Sequence, residues 1–159
     1  MLLAEQDSPE VIHDKRHRLA TALTAFMPAA SVLTSAEDLR PYECDGLSVY
    51  RALPMIAALP TTVDDVKRVM HLATQVNAKV VARGAGTGLS GGATPLVDGV
   101  LLSLAKFNRV TSIDPLARTA VVEPGVRNLK ISEAVAHLNL YYAPDPSSQI
   151  ACSDRKSVV

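Results

Sequence analysis

Five glycines fall between Arg83 and Ala93, in the run Arg83-Gly-Ala-Gly-Thr-Gly-Leu-Ser-Gly-Gly-Ala93, and no other segment of this chain so plainly demands a chemical explanation. Glycine at that density costs chain entropy, but it lets the backbone take positive φ and come within hydrogen-bond reach of a ligand. Successive main-chain N–H groups in such a loop converge on an anion, and Thr87 and Ser90 add hydroxyl donors. A phosphate or diphosphate is the natural guest. The plainer alternative is a glycine-rich hairpin or bulge without a ligand, which the density of glycine beside two hydroxyl residues disfavours.

Two known kinds of phosphate loop can be tested against the residues that follow. Gly86, Gly88 and Gly91 satisfy the pattern G-x-G-x-x-G, but in a dinucleotide-binding βαβ unit that loop opens directly into a helix whose amino terminus holds the diphosphate. Here Thr94-Pro-Leu-Val-Asp-Gly99 intervenes and Val100-Leu-Leu-Ser-Leu104 then reads as a strand. Pro95 and Gly99 oppose a helix. No Gly-Lys-Ser or Gly-Lys-Thr closes the loop, so the P-loop pattern fails as well. The anion site is therefore expected between strands, with backbone amides as its donors.

The elements that position this loop are read from local patterning. Asp7 to Met27 opens with Asp, Ser, Pro and Glu, a helix start, and Ile12, Leu19, Leu23 and Phe26 form one apolar stripe ending before Pro28. Lys15, Arg16, His17 and Arg18 are expected on the opposite, solvated face. The stretch from Ser31 to Pro60 is broken by Pro41, Gly46 and Pro54 and reads as short strands and connections. Thr62 and Asp65 cap a helix over about 62–77, followed by a strand over Lys79–Ala82 that leads into the loop. Val100–Leu104, Val110–Ile113 and Ala120–Glu123 read as strands, Leu129–Leu138 as a helix with Asn128 as a cap, and Tyr141–Pro146 as a strand leading into a turn with two prolines. The order predicts an α+β fold rather than strict βαβ alternation.

Composition narrows the rest. A chain of 159 residues that is 48% apolar supports one domain. Sixteen Lys and Arg balance sixteen Asp and Glu, so no global field draws in nucleic acid or an anionic membrane. No apolar run approaches the ~18 residues of a spanning helix, and Glu5 and Asp7 interrupt the amino terminus, so a cytoplasmic protein is expected. Cys44 and Cys152 lack metal-ligand spacing and read as reduced thiols. His71 and His137 read as helix-surface residues, and no metal site is expected.

The run Val81-Ala-Arg-Gly-Ala-Gly-Thr-Gly-Leu-Ser-Gly-Gly-Ala93, with Val121-Val-Glu-Pro-Gly-Val126 and Ala143-Pro-Asp-Pro-Ser-Ser-Gln-Ile-Ala-Cys-Ser153 behind it, resembles the FAD-binding (PCMH-type) domain of the vanillyl-alcohol oxidase and p-cresol methylhydroxylase family. Within that family it is similar to the glycolate-oxidase branch of D-2-hydroxy-acid dehydrogenases, over about residues 10–153. The resemblance implies FAD as cofactor, with short sheets flanked by helices. It implies that Gly84, Gly86, Thr87, Gly88 and Leu89 meet the diphosphate through main-chain amides, with Arg83, Ser90 and Gly91 completing the loop. Glu123, Pro124 and Gly125 would approach the adenine end, and Pro144, Asp145, Ser148 and Cys152 would line the ribityl and flavin side. For Asp145 a turn-capping role is an equal alternative, and for Cys152 an inert thiol outweighs a covalent flavin link.

The implied activity is oxidation of a 2-hydroxy acid, glycolate or D-lactate, to the 2-oxo acid. Partner subunits of a glycolate-oxidase-type enzyme would be the route to any place at the inner membrane. Another flavoenzyme of the same fold, or a non-catalytic phosphate- or nucleotide-binding module, are the alternatives. After Ser153 the family continues with a hydrophobic residue and a Gly-Gly-Asn segment, whereas this chain reads Asp154-Arg-Lys-Ser-Val-Val159. Those residues can be encoded by GATCGGAAGAGCGTCGTG, a common sequencing-adapter read-through. The reading is therefore an amino-terminal helix over 1–30, an incomplete FAD-binding domain over 31–153 and a non-native tail over 154–159. No residue here is assigned as catalytic, because the family's hydroxy-acid-binding and base residues belong to the carboxy-terminal part.

Overall fold

The computed structural model describes residues 6–144 and 146–153. Asp145 and the tail over 154–159 lie outside them. Helix α1 (Pro9–Thr24) starts where Ser8 Oγ accepts from the Val11 N–H, with proline in the first turn. Two short strands, β1 (Val32–Leu33) and β2 (Ile56–Ala58), bracket an irregular stretch. That stretch also holds a one-turn helix, α2 (Ala36–Leu39), capped by Ser35. Helix α3 (Val63–Gln75) carries a reciprocal capping box: Thr62 Oγ1 accepts from Asp65 N and Asp65 Oδ2 accepts from Thr62 N, both at 3.1 Å. Strands β3 (Lys79–Arg83), β4 (Gly99–Ser103), β5 (Val110–Asp114) and β6 (Thr119–Val122) follow, then helix α4 (Asn128–Val135).

A mixed sheet runs in the order β1-β2-β4-β3, with β2, β4 and β3 parallel and β1 antiparallel at the edge. The β5-β6 hairpin stands apart with a bulge near Thr111. Strand β4 is buried along its whole length, as a near-continuous apolar run predicts for a central strand covered on both faces. Its side chains alternate: Val100 and Leu102, with Ile56 and Ala58, join Leu19, Leu23, Val69 and Ala73 of the two helices in the main core. Leu101 and Ala57 face the other way, onto Leu39. The helices thus clamp one face of the sheet, while the other face and the carboxyl end of β3 are left to the connections.

Three local expectations are corrected. Lys15 is not on a solvated face: its Nζ donates to Asp7 Oδ2 at 2.6 Å and to the Asn77 carbonyl at 2.9 Å, in a buried position one helical turn before Leu19. Asn77, at φ +51°, turns the chain just beyond α3 and presents that carbonyl, a favourable partner for a cation. Asn128 does not cap α4. Arg127 holds the cap position without a side-chain bond, and Asn128 is buried in the first turn, its Nδ2 donating to the Pro144 carbonyl at 3.0 Å. Tyr141–Pro144 joins no sheet, since the Tyr142 N–H donates to Ser132 Oγ and lays the segment along α4.

Candidate functional site

Strands β3 and β4 are parallel neighbours joined by the glycine loop, so this crossover, from Gly84 to Asp98, contains neither helix nor strand. No helix amino terminus is offered by the loop. Its entry is held by the Leu104 N–H on the Arg83 carbonyl at 2.8 Å, and by the Ala85 N–H on Ser153 Oγ at 3.0 Å. Two positive-φ glycines, Gly86 at +73° and Gly91 at +71°, bend it. Among the described residues, the main-chain N–H groups of Gly86, Thr87, Gly88, Leu89 and Ser90 have no hydrogen-bond acceptor within the chain. A row of unpaired, accessible amides is the donor set that an anion requires.

Beside the loop entry lies a cleft of about 340 Å³ lined by Gly84, Gly125, Arg127, Lys130 and Ser153, among others. Gly125 reaches it because its own N–H donates to the Phe107 carbonyl at 2.7 Å, and the Leu104 and Phe107 carbonyls leave no room for a Cβ. Lys130 Nζ is tethered to the Asn108 carbonyl at 2.6 Å, while Arg127 is exposed. The first amides of α4 are consumed by the returning chain: Asn128 N–H donates to the Cys152 carbonyl at 3.0 Å and Leu129 N–H to the Gln149 carbonyl at 3.2 Å. Positive charge at this cleft therefore comes from side chains, not from the helix end.

The other residues singled out from sequence are placed as follows. Gly84, Gly125, Ala151 and Ser153 converge on the cleft. Leu89 and Ser90 stand exposed on the outer part of the loop. Arg83 is buried, its Nη1 on the Cys44 carbonyl at 2.6 Å and its guanidinium carbon 5.6 Å from the Tyr42 ring centre. Glu123 turns to Arg109, one carboxylate oxygen accepting from the Arg109 main chain at 2.9 Å and the other from its guanidinium at 2.7 Å. Those bonds hold the Glu123 carboxyl below the usual carboxylate range and raise Arg109 in turn. Pro124 and Pro144 are exposed, and Ser148 accepts from Cys152 N–H through its carbonyl at 2.8 Å. Cys152 is a half-buried free thiol.

Sequence reasoning missed Asn108, Arg127 and Lys130 at the cleft and the segment Tyr42–Gly46 behind the loop. Arg127 and Lys130 carry no signal that separates them from fourteen other Lys and Arg residues of the sixteen, beyond lying just after the Glu-Pro-Gly turn. The residues present fit a diphosphate. Among the described residues a Cβ at Gly88 would meet no atom within 4 Å, so none of them requires glycine there, and the unpaired amides beside it give the space a use.

The sequence pattern of the FAD binding domain family matches residues 54–153. Over 138 residues, 87% of this chain, the sequence is 52% identical to the glycolate oxidase subunit GlcD of Escherichia coli (strain K12). It is 30% identical over 132 residues, 83% of this chain, to a D-2-hydroxyglutarate dehydrogenase of Xanthomonas citri pv. viticola. The chain spans 28% of the length of each of these relatives. The solved structure of p-cresol methylhydroxylase with substrate bound superposes on 80% of this chain and 25% of that one, with a TM-score of 0.71 and 27% identity.

Proposed function

The chain belongs to the family of FAD binding domains, and from that membership we propose that it is the amino-terminal part of the flavin-holding domain of an oxidoreductase that converts a 2-hydroxy acid, glycolate or D-lactate, to the 2-oxo acid. The observation that carries this reading is the row of unpaired amides from Gly86 to Ser90 on a crossover without a helix. The identity to a glycolate oxidase subunit and to a D-2-hydroxyglutarate dehydrogenase supports the substrate class. The first of those names describes a subunit, which supports assembly with partner chains. Among the described residues no helix is long and apolar enough to cross a membrane. We assign the enzyme to the cytoplasm, with partner subunits as its route to a membrane surface.

When bound, FAD supplies the two-electron acceptor for the α-carbon hydride. The residues of this chain bind and orient. The amides of Gly86, Thr87, Gly88 and Leu89 donate to the diphosphate, Gly88 leaves space for close approach, and Ser90 and Gly91 complete the loop. Arg127 and Lys130 add positive charge at the neighbouring cleft. Gly84 and Gly125 border the cleft beside the loop entry, and Ser148 and Cys152 would line the ribityl and flavin side. A donor array fixed before the ligand arrives gains affinity by avoiding the cost of ordering itself.

The test is a spectrum. The purified complete gene product should carry flavin absorbance, and anaerobic glycolate or D-lactate should bleach it. Absence of flavin would overturn the cofactor assignment. A flavin that neither acid reduces would overturn the substrate class and favour another enzyme of the same fold.

A further inference from the structure

Three consecutive residues, Cys44, Asp45 and Gly46, touch the glycine loop at its entry, its exit and its middle. At the entry, the Cys44 carbonyl accepts from Arg83 Nη1 at 2.6 Å, and the ring of Tyr42 stacks on the same guanidinium. At the exit, Asp45 is 5% exposed and divides its carboxylate: Oδ1 accepts from the Leu47 N–H at 2.9 Å, and Oδ2 from the Ala93 N–H at 3.4 Å. An Asx turn accounts for the first bond but not for the second, which reaches across 48 residues of sequence. In the middle, Gly46 lies against the carbonyl oxygens of Thr87 and Gly88, so that a Cβ there would stand only 2.8 and 2.9 Å from them.

We propose that Tyr42–Gly46 is a positioning brace for the diphosphate loop, in which Asp45 and Gly46 set the direction of the loop's main-chain N–H groups. This inference rests on the flavin reading above for what the loop holds. The physical step is peptide planarity. In a trans peptide the C=O and the following N–H point in opposite directions. Because the Thr87 and Gly88 carbonyls face Gly46, the N–H groups of Gly88 and Leu89 face away from the brace, where they meet no acceptor of this chain. Below Gly86 the Arg83 guanidinium occupies the volume that a side chain would take, so the bend at that residue is supported from behind. The brace itself does not touch the ligand. It supplies preorganisation, holding outward donors in place before binding.

The experiment uses the complete gene product and two substitutions, Asp45→Asn and Gly46→Ala. The asparagine oxygen can still accept from Leu47, but the amide nitrogen cannot accept from Ala93. The alanine methyl group must displace the two loop carbonyls. Because the unpaired loop amides exchange with water unprotected with or without the brace, nitrogen-15 relaxation in the ligand-free protein reads backbone order over 84–93 instead, with Leu19–Leu23 and Val69–Ala73 as internal reference. Flavin fluorescence titration reads FAD affinity. The expected result is lower backbone order in the loop alone and FAD binding weakened about tenfold in each variant, for Asp45→Asn the size of one lost charged hydrogen bond. Unchanged loop order in both variants overturns the brace, as does a loss of order shared by the reference residues, or FAD affinity equal to wild type. Asp45→Asn, the milder change, decides the matter alone if Gly46→Ala does not fold. A wild-type protein that takes up no FAD refutes the proposed function, while the relaxation comparison still decides whether the brace orders the loop.

Discussion

At Gly86 the backbone stands at φ +73° and a Cβ would collide with the Arg83 guanidinium, whereas at Gly88 a Cβ would meet nothing within 4 Å. Under the proposed function the two glycines would serve different ends, one the fold and one the ligand. Gly86→Ala is expected to lower the melting temperature, with a cost of about 1–2 kcal/mol from left-handed strain before any displacement of Arg83. Gly88→Ala should leave the melting temperature of the ligand-free protein unchanged and reduce its flavin content, because the methyl group stands where the diphosphate would approach. Thermal melting and flavin fluorescence on the two single variants separate these outcomes. Equal destabilisation by both would contradict the assignment. The glycines themselves were legible in sequence, but which of them answers to the chain and which to a guest was not. That distinction depends on Arg83, whose direction is set by Tyr42 and Cys44 far away in sequence.

Helices α1 and α3 and strands β3 and β4 follow the sequence reading to within a few residues, because their signals are local: a cap, a period and a proline boundary. Thr62 is the clearest case. Thr62→Ala removes the acceptor for the Asp65 N–H and should cost about 1 kcal/mol, read as a shift in urea midpoint with an unchanged slope. Thr62→Ser, which keeps the hydroxyl, should restore most of that loss. The elements that departed from expectation lack such autonomy. Arg127 takes the cap position of α4 because the carbonyls of Gln149 and Cys152 satisfy the helix's first amides, leaving Asn128 to turn inward to Pro144. Tyr141–Pro144 has the composition of a strand, yet Ser132 Oγ takes the Tyr142 N–H and lays the segment along α4. Lys15 has the composition of a surface residue, yet the end of α3 provides a carbonyl that makes burial favourable.

At the scale of the whole molecule, four carboxyl groups among the described residues sit below their ordinary range, and they act in one direction. Glu10 is lowered by its own main-chain N–H and by Ser8. In Asp65 and Asp98 burial pushes upward, but the hydrogen bonds outweigh it: the Thr62 hydroxyl and main chain for Asp65, and Lys79 at 2.6 Å for Asp98. Glu123 is held down by Arg109. A carboxyl with a lowered folded-state pKa contributes stability above its unfolded value and loses it as pH falls through the folded value, because the unfolded chain then binds more protons. The melting temperature should therefore hold near neutrality and fall through and below the usual carboxylate range. Lys79→Met leaves the Asp98 carboxylate buried without its cation, so the acid limb should move to higher pH. A limb that stayed in place would show that the pair contributes nothing measurable. By itself, the sequence determined the glycine loop, the periodic helices around it, and a crossover that enters a strand instead of a helix. Each of these follows from backbone freedom or side-chain period within a few residues. Only the tertiary structure decided that β4 lies between β2 and β3, that Tyr42–Gly46 backs the loop, and that Arg127 and Lys130 flank the cleft. Those contacts join segments tens of residues apart, as Ala85 and Ser153 do across 68, and their free energy comes from packing and pairing that no local window contains.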